Sequence, residues 1–110
     1  MYKKACDFSD LIEGQYEVAV VRQALVLIVW PEGGEPRAFQ GICPHAKEPL
    51  ADARFDGTDI ECRHHKWMFN AATGKCLKGK PCQLAEYPLR IEDGAVMIDV
   101  DGIDAVYLDG

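Results

Sequence analysis

Cys43-Pro44-His45 and, sixteen residues further on, Cys62-Arg63-His64-His65 form the stretch whose reading decides what this chain is. The first piece has the spacing C-x-H and the second C-x-x-H. With five cysteines and three histidines in the chain, chance supplies each spacing only about 0.14 times. Thiolate and imidazole at these spacings, one pair on each of two loops, can converge on a single metal centre. Two centres fit: a structural zinc with two Cys and two His ligands, and a 2Fe-2S cluster in which two thiolates hold one iron and two imidazoles the other. Zinc fingers usually take both cysteines from one knuckle and both histidines from another. Here each loop contributes one of each, which suits a binuclear centre because every loop then spans both metals.

Outward from this motif the pattern changes. From Cys43 to Pro81 the chain is rich in Pro, Gly, His, Cys and charge, and so long a loop-dominated stretch carries function or needs a cofactor to order it. On either side, short β-rich runs recur between Gly, Pro and Asp, and no segment keeps a helical apolar spacing for three turns. The chain is therefore expected to be all-β. The predicted strands are Tyr16 to Arg22, Leu25 to Trp30, Arg37 to Gln40, Asp59 to Cys62, Trp67 to Asn70, Tyr87 to Ile91, Ala95 to Val100 and Ala105 to Leu108. Asp93-Gly94 and Asp101-Gly102 supply the positive φ angles of tight hairpins, and Pro31-Glu32-Gly33-Gly34 is a turn. Ser9 to Glu13, stopped by Gly14, is expected to form one helical turn.

A length of 110 residues with 48% hydrophobic side chains gives one small domain, residues 1–110, with the stretch from about 42 to 82 inserted in its β base. Its core is modest, so a metal staple would help. Eighteen acidic against twelve basic residues, a formal net charge of -6, exclude a general nucleic-acid binder. The longest apolar run, Ala24 to Trp30, falls far short of the roughly 18 residues of a membrane span. Asp7 and Asp10 stand where a signal peptide would be apolar, so a cytoplasmic location is expected. There an odd cysteine count reads as thiols and ligands, not a disulfide framework. Cys6, Cys76 and Cys82 have no histidine nearby and read as small hydrophobes, although a Cys76–Cys82 disulfide is conceivable. With no phosphate loop or nucleophile elbow, no substrate-converting site is visible.

Cys43-Pro44-His45 with Cys62-Arg63-His64-His65 resembles the Rieske motif, and nearly the whole chain resembles a small Rieske ferredoxin. Lys66-Trp67-Met68-Phe69-Asn70, Thr73-Gly74 and Leu84-Ala85-Glu86-Tyr87-Pro88 are similar to the ferredoxin component of toluene-type aromatic monooxygenases. Thr73-Gly74-Lys75 and Pro81-Cys82 resemble instead the ferredoxins of ring-hydroxylating dioxygenases. The resemblance implies an antiparallel β-sandwich base and a cluster-binding subdomain of two ligand loops, covered by a third loop around Gly79 to Cys82. It implies one 2Fe-2S cluster, with Cys43 and Cys62 on the buried iron and His45 and His65 on the outer one. It further implies a monomeric electron carrier, not itself an enzyme, between an NADH-dependent flavin and iron-sulfur reductase and a terminal oxygenase. A diiron monooxygenase hydroxylase is the first expectation for that oxygenase, a ring-hydroxylating dioxygenase the alternative, and a fixed subunit of a larger enzyme such as nitrite reductase the third.

High-potential respiratory Rieske proteins carry a disulfide and two hydroxyl donors at positions that here are Glu48 and His64, Trp67 and Phe69. Without those donors the midpoint is expected at the low end of the Rieske range, roughly -150 mV. His64 is expected to be exposed and non-ligating. Trp67 and Phe69 alternate on one strand face, as core residues do, while Trp67 and Pro81 are also candidates for the docking surface. The charge is uneven along the chain: residues 84–110 hold seven acidic side chains and only Arg90, whereas the stretch from Cys43 to Cys82 is mildly basic.

Overall fold

A computed structural model describes residues 2–43, 50, 53–62, 67–78 and 83–103. Its strands are β1 (Lys3–Asp7), β2 (Tyr16–Val21), β3 (Ala24–Val29), β4 (Arg37–Gln40), β5 (Arg54–Phe55), β6 (Asp59–Glu61), β7 (Met68–Asn70), β8 (Cys76–Lys78), β9 (Glu86–Tyr87), β10 (Leu89–Glu92) and β11 (Ala95–Ile98). They form three antiparallel sheets, in the orders β1-β11-β10, β2-β3-β4-β9 and β5-β6-β7-β8. The expected all-β architecture is what the chain adopts.

The sheet β2-β3-β4-β9 is the wall of the molecule, and β3 explains why. Its run Ala-Leu-Val-Leu-Ile-Val does not alternate with polar residues, which marks a strand covered on both faces. Val26 and Ile28 point to one side, into a core shared with Ala38, Val96 and Ile98. Leu27 and Val29 point to the other, into a core shared with Phe39, Ile60 and Phe69. The two-residue period of a strand thus feeds two separate cores from one wall. One core is closed by β1, β10 and β11, the other by β5 to β8, a sheet drawn wholly from residues 54–78.

Most predicted strands stand within a residue or two of their expected places, and the departures have local causes. The segment expected to run from Tyr87 to Ile91 is two strands: Glu86–Tyr87 pairs with β4, and Leu89–Glu92 pairs with β11. Pro88, which has no N–H for a ladder, is where the chain leaves one sheet for the other. At Asp93-Gly94 both residues have positive φ, +51° and +77°, as a type I′ hairpin requires. At Asp101-Gly102 only Gly102 does, and the strand expected from Ala105 to Leu108 lies outside the described residues. The helical turn expected from Ser9 is a 3-10 turn one residue earlier, Phe8–Asp10. Pro31 to Gly34 forms its turn, closed by a Gly34 N–H donating to the Pro31 carbonyl at 3.0 Å.

A candidate metal centre between two hydrogen-bonded loops

Strand β4 ends at Gln40, and the chain turns into the first loop at Gly41. The Gly41 N–H donates to the Leu25 carbonyl at 2.8 Å, and its own carbonyl accepts the Leu50 N–H at 2.7 Å. Among the described residues, this backbone hydrogen bond brings together Gly41 and Leu50, the two ends of the first span and thus its neck. At the second motif piece the Cys62 N–H donates to the Trp67 carbonyl at 2.7 Å, which joins the two described ends of that span. After β8 the described residues resume at Gln83, which bridges to Lys75. There the Leu84 N–H donates to the Gly74 carbonyl at 2.8 Å.

The necks share one core. Cys43 and Cys62, nineteen positions apart in sequence, are 0% and 1% exposed and lie in the same buried cluster as Phe39, Leu50, Ala53, Ile60, Phe69 and Leu84. Tyr16 reaches in from β2 and donates from its hydroxyl to the Ala53 carbonyl at 3.0 Å, which ties the far side of the first loop to the wall. Two thiols buried in one apolar cluster fit the sulfur half of either metal centre that the spacing allows.

His45 and His65, the expected imidazole partners, lie outside the described residues, as do His64, Glu48, Pro81, Cys82 and the span from Gly79. Trp67 is half-buried and packs on the cluster that holds both thiols, and Phe69 is completely buried in it. Their strand alternation therefore serves the core, as expected, with part of Trp67 left at the surface. Cys6 is half-buried on β1; burial, followed by nearby Asp10, Glu17 and Asp7, raises its thiol pKa.

Sequence inspection passed over Gln40, whose side chain is the buried polar one among the described residues. Its Nε2 donates to the Ile42 carbonyl at 2.7 Å, and its Oε1 accepts the Ala85 N–H at 2.7 Å. A glutamine at the end of an apolar strand, three residues before the first cysteine, was the available signal.

The charge map also differs in space from its linear form. Arg22 and Arg37, from the neutral part of the chain, reach Asp101 and Glu86 in the acidic last quarter at 2.8 and 2.9 Å. Among the described residues no helix is long and apolar enough to cross a membrane.

Known proteins agree with this geometry. The ferredoxin component of the naphthalene 1,2-dioxygenase system of Pseudomonas putida is 33% identical over 98 residues, covering 88% of this chain and 93% of the relative. The biphenyl dioxygenase ferredoxin subunit of Pseudomonas sp. (strain KKS102) is 32% identical over 100 residues, 89% of this chain and 91% of the relative. Among solved structures, the ferredoxin of Sphingomonas yanoikuyae B1 superposes with a TM-score of 0.76 at 31% identity, over 90% of this chain and 98% of that one. A chain of the complex of reduced oxygenase and oxidised ferredoxin in carbazole 1,9a-dioxygenase gives 0.77 at 25% identity, over 88% and 91%. The Rieske [2Fe-2S] domain family matches residues 1–88. That match runs through all three loop necks to the last strand of the wall, so the chain belongs to the Rieske [2Fe-2S] domain family and its metal centre is a Rieske-type 2Fe-2S cluster.

Proposed function

We propose that this protein is the electron-carrying ferredoxin of a ring-hydroxylating aromatic dioxygenase system. It takes single electrons from an NADH-dependent flavin and iron-sulfur reductase and passes them to the terminal oxygenase, acting as a monomer with no catalysis of its own. The observation that carries this is the naphthalene dioxygenase ferredoxin, 33% identical over 88% of the chain. The dioxygenase therefore moves ahead of the diiron monooxygenase as the partner. The stretches that favoured a monooxygenase are largely scaffold: Phe69, Leu84 and Tyr87 are buried, Ala85 is locked to Gln40, and Pro88 carries the chain between sheets. Such residues hold the fold and say little about which oxygenase docks.

In this reading Cys43 and Cys62 would hold the cluster through their thiolates and His45 and His65 through their imidazoles. The cluster supplies one-electron storage, and two neutral imidazoles in place of thiolates leave it less negative and easier to reduce. The protein's part is to hold the thiolates away from water in the core of Phe39, Ile60 and Phe69. Each ligating imidazole keeps a second ring nitrogen with which to hydrogen-bond water or a partner surface. Stopped-flow mixing of the reduced protein with a naphthalene-type dioxygenase and, separately, with a toluene-type diiron hydroxylase tests the partner. Rapid oxidation by the dioxygenase alone is expected; oxidation by the diiron hydroxylase alone would restore the monooxygenase reading.

A further inference from the structure

Burying an amide side chain is unfavourable unless its polar atoms are paired, so the position of Gln40 at 1% exposure calls for a reason. Its partners supply one. The Nε2 donates to the carbonyl of Ile42, the residue immediately before Cys43, and the Oε1 accepts from the N–H of Ala85. The Gln40 backbone N–H also donates to the Ala85 carbonyl at 2.8 Å. One residue of the wall therefore grips the entry to the first ligand loop and the segment by which the chain returns from the third.

The two gripped segments lie just beyond the named strand ladders. Ile42 follows Gly41, where the strand ladder between β3 and β4 has already ended at Gln40. Ala85 precedes Glu86, where the ladder between β4 and β9 begins. The side-chain amide has the length and the donor-acceptor polarity of one further ladder rung, extending the sheet beyond its backbone pairing toward Cys43. Leucine at this position would fill the space and leave the Ile42 carbonyl and the Ala85 N–H without the partner Gln40 provides. Glutamate would keep the acceptor for Ala85 and set a carboxylate oxygen against the Ile42 carbonyl.

We infer that Gln40 is a positioning residue for the cluster, joining the loop that carries Cys43 to the return of the third loop so that the two hold one fixed spacing. This rests on Cys43 being a cluster ligand, as proposed above. Gln40 acts through the backbone that presents the thiolate.

The test compares wild type with Gln40→Leu and Gln40→Glu, each purified with its cluster. Iron per chain, the electron paramagnetic resonance g-values of the reduced protein, the midpoint potential and the rate of iron release to a chelator are read for each. The expected result is iron release about tenfold faster in both variants, with g-values and midpoint displaced from wild type. A control, Val96→Ala, removes bulk from the opposite core and lowers the melting temperature while leaving g-values and midpoint in place. If both variants melt earlier but keep wild-type g-values, midpoint and release rate, Gln40 is a structural bond only and the inference is overturned. If Gln40→Leu fails to fold, Gln40→Glu, which keeps the volume and the bond to Ala85, decides the matter alone. A Cys43→Ser variant that still holds two irons with the wild-type spectrum would instead overturn the ligand assignment, an outcome separate from either result at Gln40.

Discussion

At Gly41 the first ligand loop leaves the wall so closely that the absence of a side chain is what permits it. A Cβ built there lies 2.7 Å from Leu25 Cγ, 2.9 Å from the Leu25 carbonyl oxygen and 3.0 Å from its carbonyl carbon. Two of these atoms are backbone of β3, so Gly41→Ala is accommodated only by lifting the loop away from the strand. Overpacking of this kind costs about 1–3 kcal/mol. Weakening the 2.8 Å hydrogen bond from Gly41 to Leu25 adds about 1 kcal/mol. The total, about 2–4 kcal/mol, corresponds to a melting temperature lower by about 8–16 °C for a domain of this size. Gly33→Ala is the matched reference: its φ is +77° but nothing lies within 4 Å, leaving only backbone strain of about 1 kcal/mol and a fall of about 4 °C. Melts of both variants, followed by far-ultraviolet circular dichroism and by the visible absorbance of the cluster, measure the difference. Because the Gly41 carbonyl also closes the loop neck at Leu50, the visible signal of Gly41→Ala is expected to disappear before the far-ultraviolet one. A Gly41→Ala protein that melts no lower than Gly33→Ala would refute the argument from close approach.

Phe39, completely buried beside both thiols, is expected to lose about 3–5 kcal/mol on Phe39→Ala, read from denaturant midpoints, whereas a loss under 1 kcal/mol would mean that this core is loosely packed. The Asp56 carboxylate accepts the N–H groups of Asp59 and Thr58, which hold its pKa below the ordinary 3.8. Its stabilising effect is thus present above pH 3.8 and lost as pH falls through the lower folded-state value. Because Asp56 is exposed and screened, Asp56→Ala should lower the melting temperature at pH 7 by only about 2–4 °C, with the gap closing as pH falls through the lowered folded-state value, while Asp56→Asn, which keeps an acceptor oxygen, stays close to wild type; a gap that keeps its full size throughout an acid titration would exclude the linkage. Trp67→Ala should slow electron transfer to the oxygenase if its exposed part belongs to the docking surface, and unchanged stopped-flow rates would remove it from that surface. A potentiometric titration should give a midpoint of roughly -150 mV, and a clearly positive value would show that hydroxyls are not what separates this chain from high-potential Rieske proteins.

What the sequence made legible is set by which signals are local. Strand β4 stands at its expected residues and β2, β3 and β11 close to theirs, because buried β-branched runs between turn residues are unambiguous. Lys3–Asp7 was invisible: an edge strand with two lysines and an aspartate has no apolar alternation, and it exists because β11 offers a ladder, with a bulge between Lys4 and Cys6. The two-residue strand β5 and the edge strand β8 were missed for a similar reason, being too short or too exposed to carry a pattern. Arg22-Gln23 shows tertiary register overriding turn propensity. Both residues have positive φ, +48° and +70°, although neither is Gly or Asn, because the pairs from Tyr16 with Val29 to Val21 with Ala24 leave only two residues to reverse the chain.

The site divides along the same line. Spacing alone singled out the two cysteines, and the fold brings both into one core, because Cys62 follows directly on β6 and Cys43 stands three residues beyond the end of β4. Gln40 could not be found by spacing, since its meaning depends on Ala85, forty-five residues away. The distribution of charge is likewise a long-range property. Counted along the chain, the whole formal charge of -6 falls in residues 84–110. Folding then lays Arg22 and Arg37 against Asp101 and Glu86, so part of that excess is neutralised where it stands. Such exposed pairs add little stability, about 0–1 kcal/mol each, but they reshape the field a partner meets at the range of a Debye length, roughly 8 Å in physiological salt. The acidic excess of residues 84–110 is therefore weaker in space than in sequence. If docking uses the surface beside the second neck, where Trp67 and Met68 are only partly covered, that surface rather than the C-terminal acidic quarter carries the orientation.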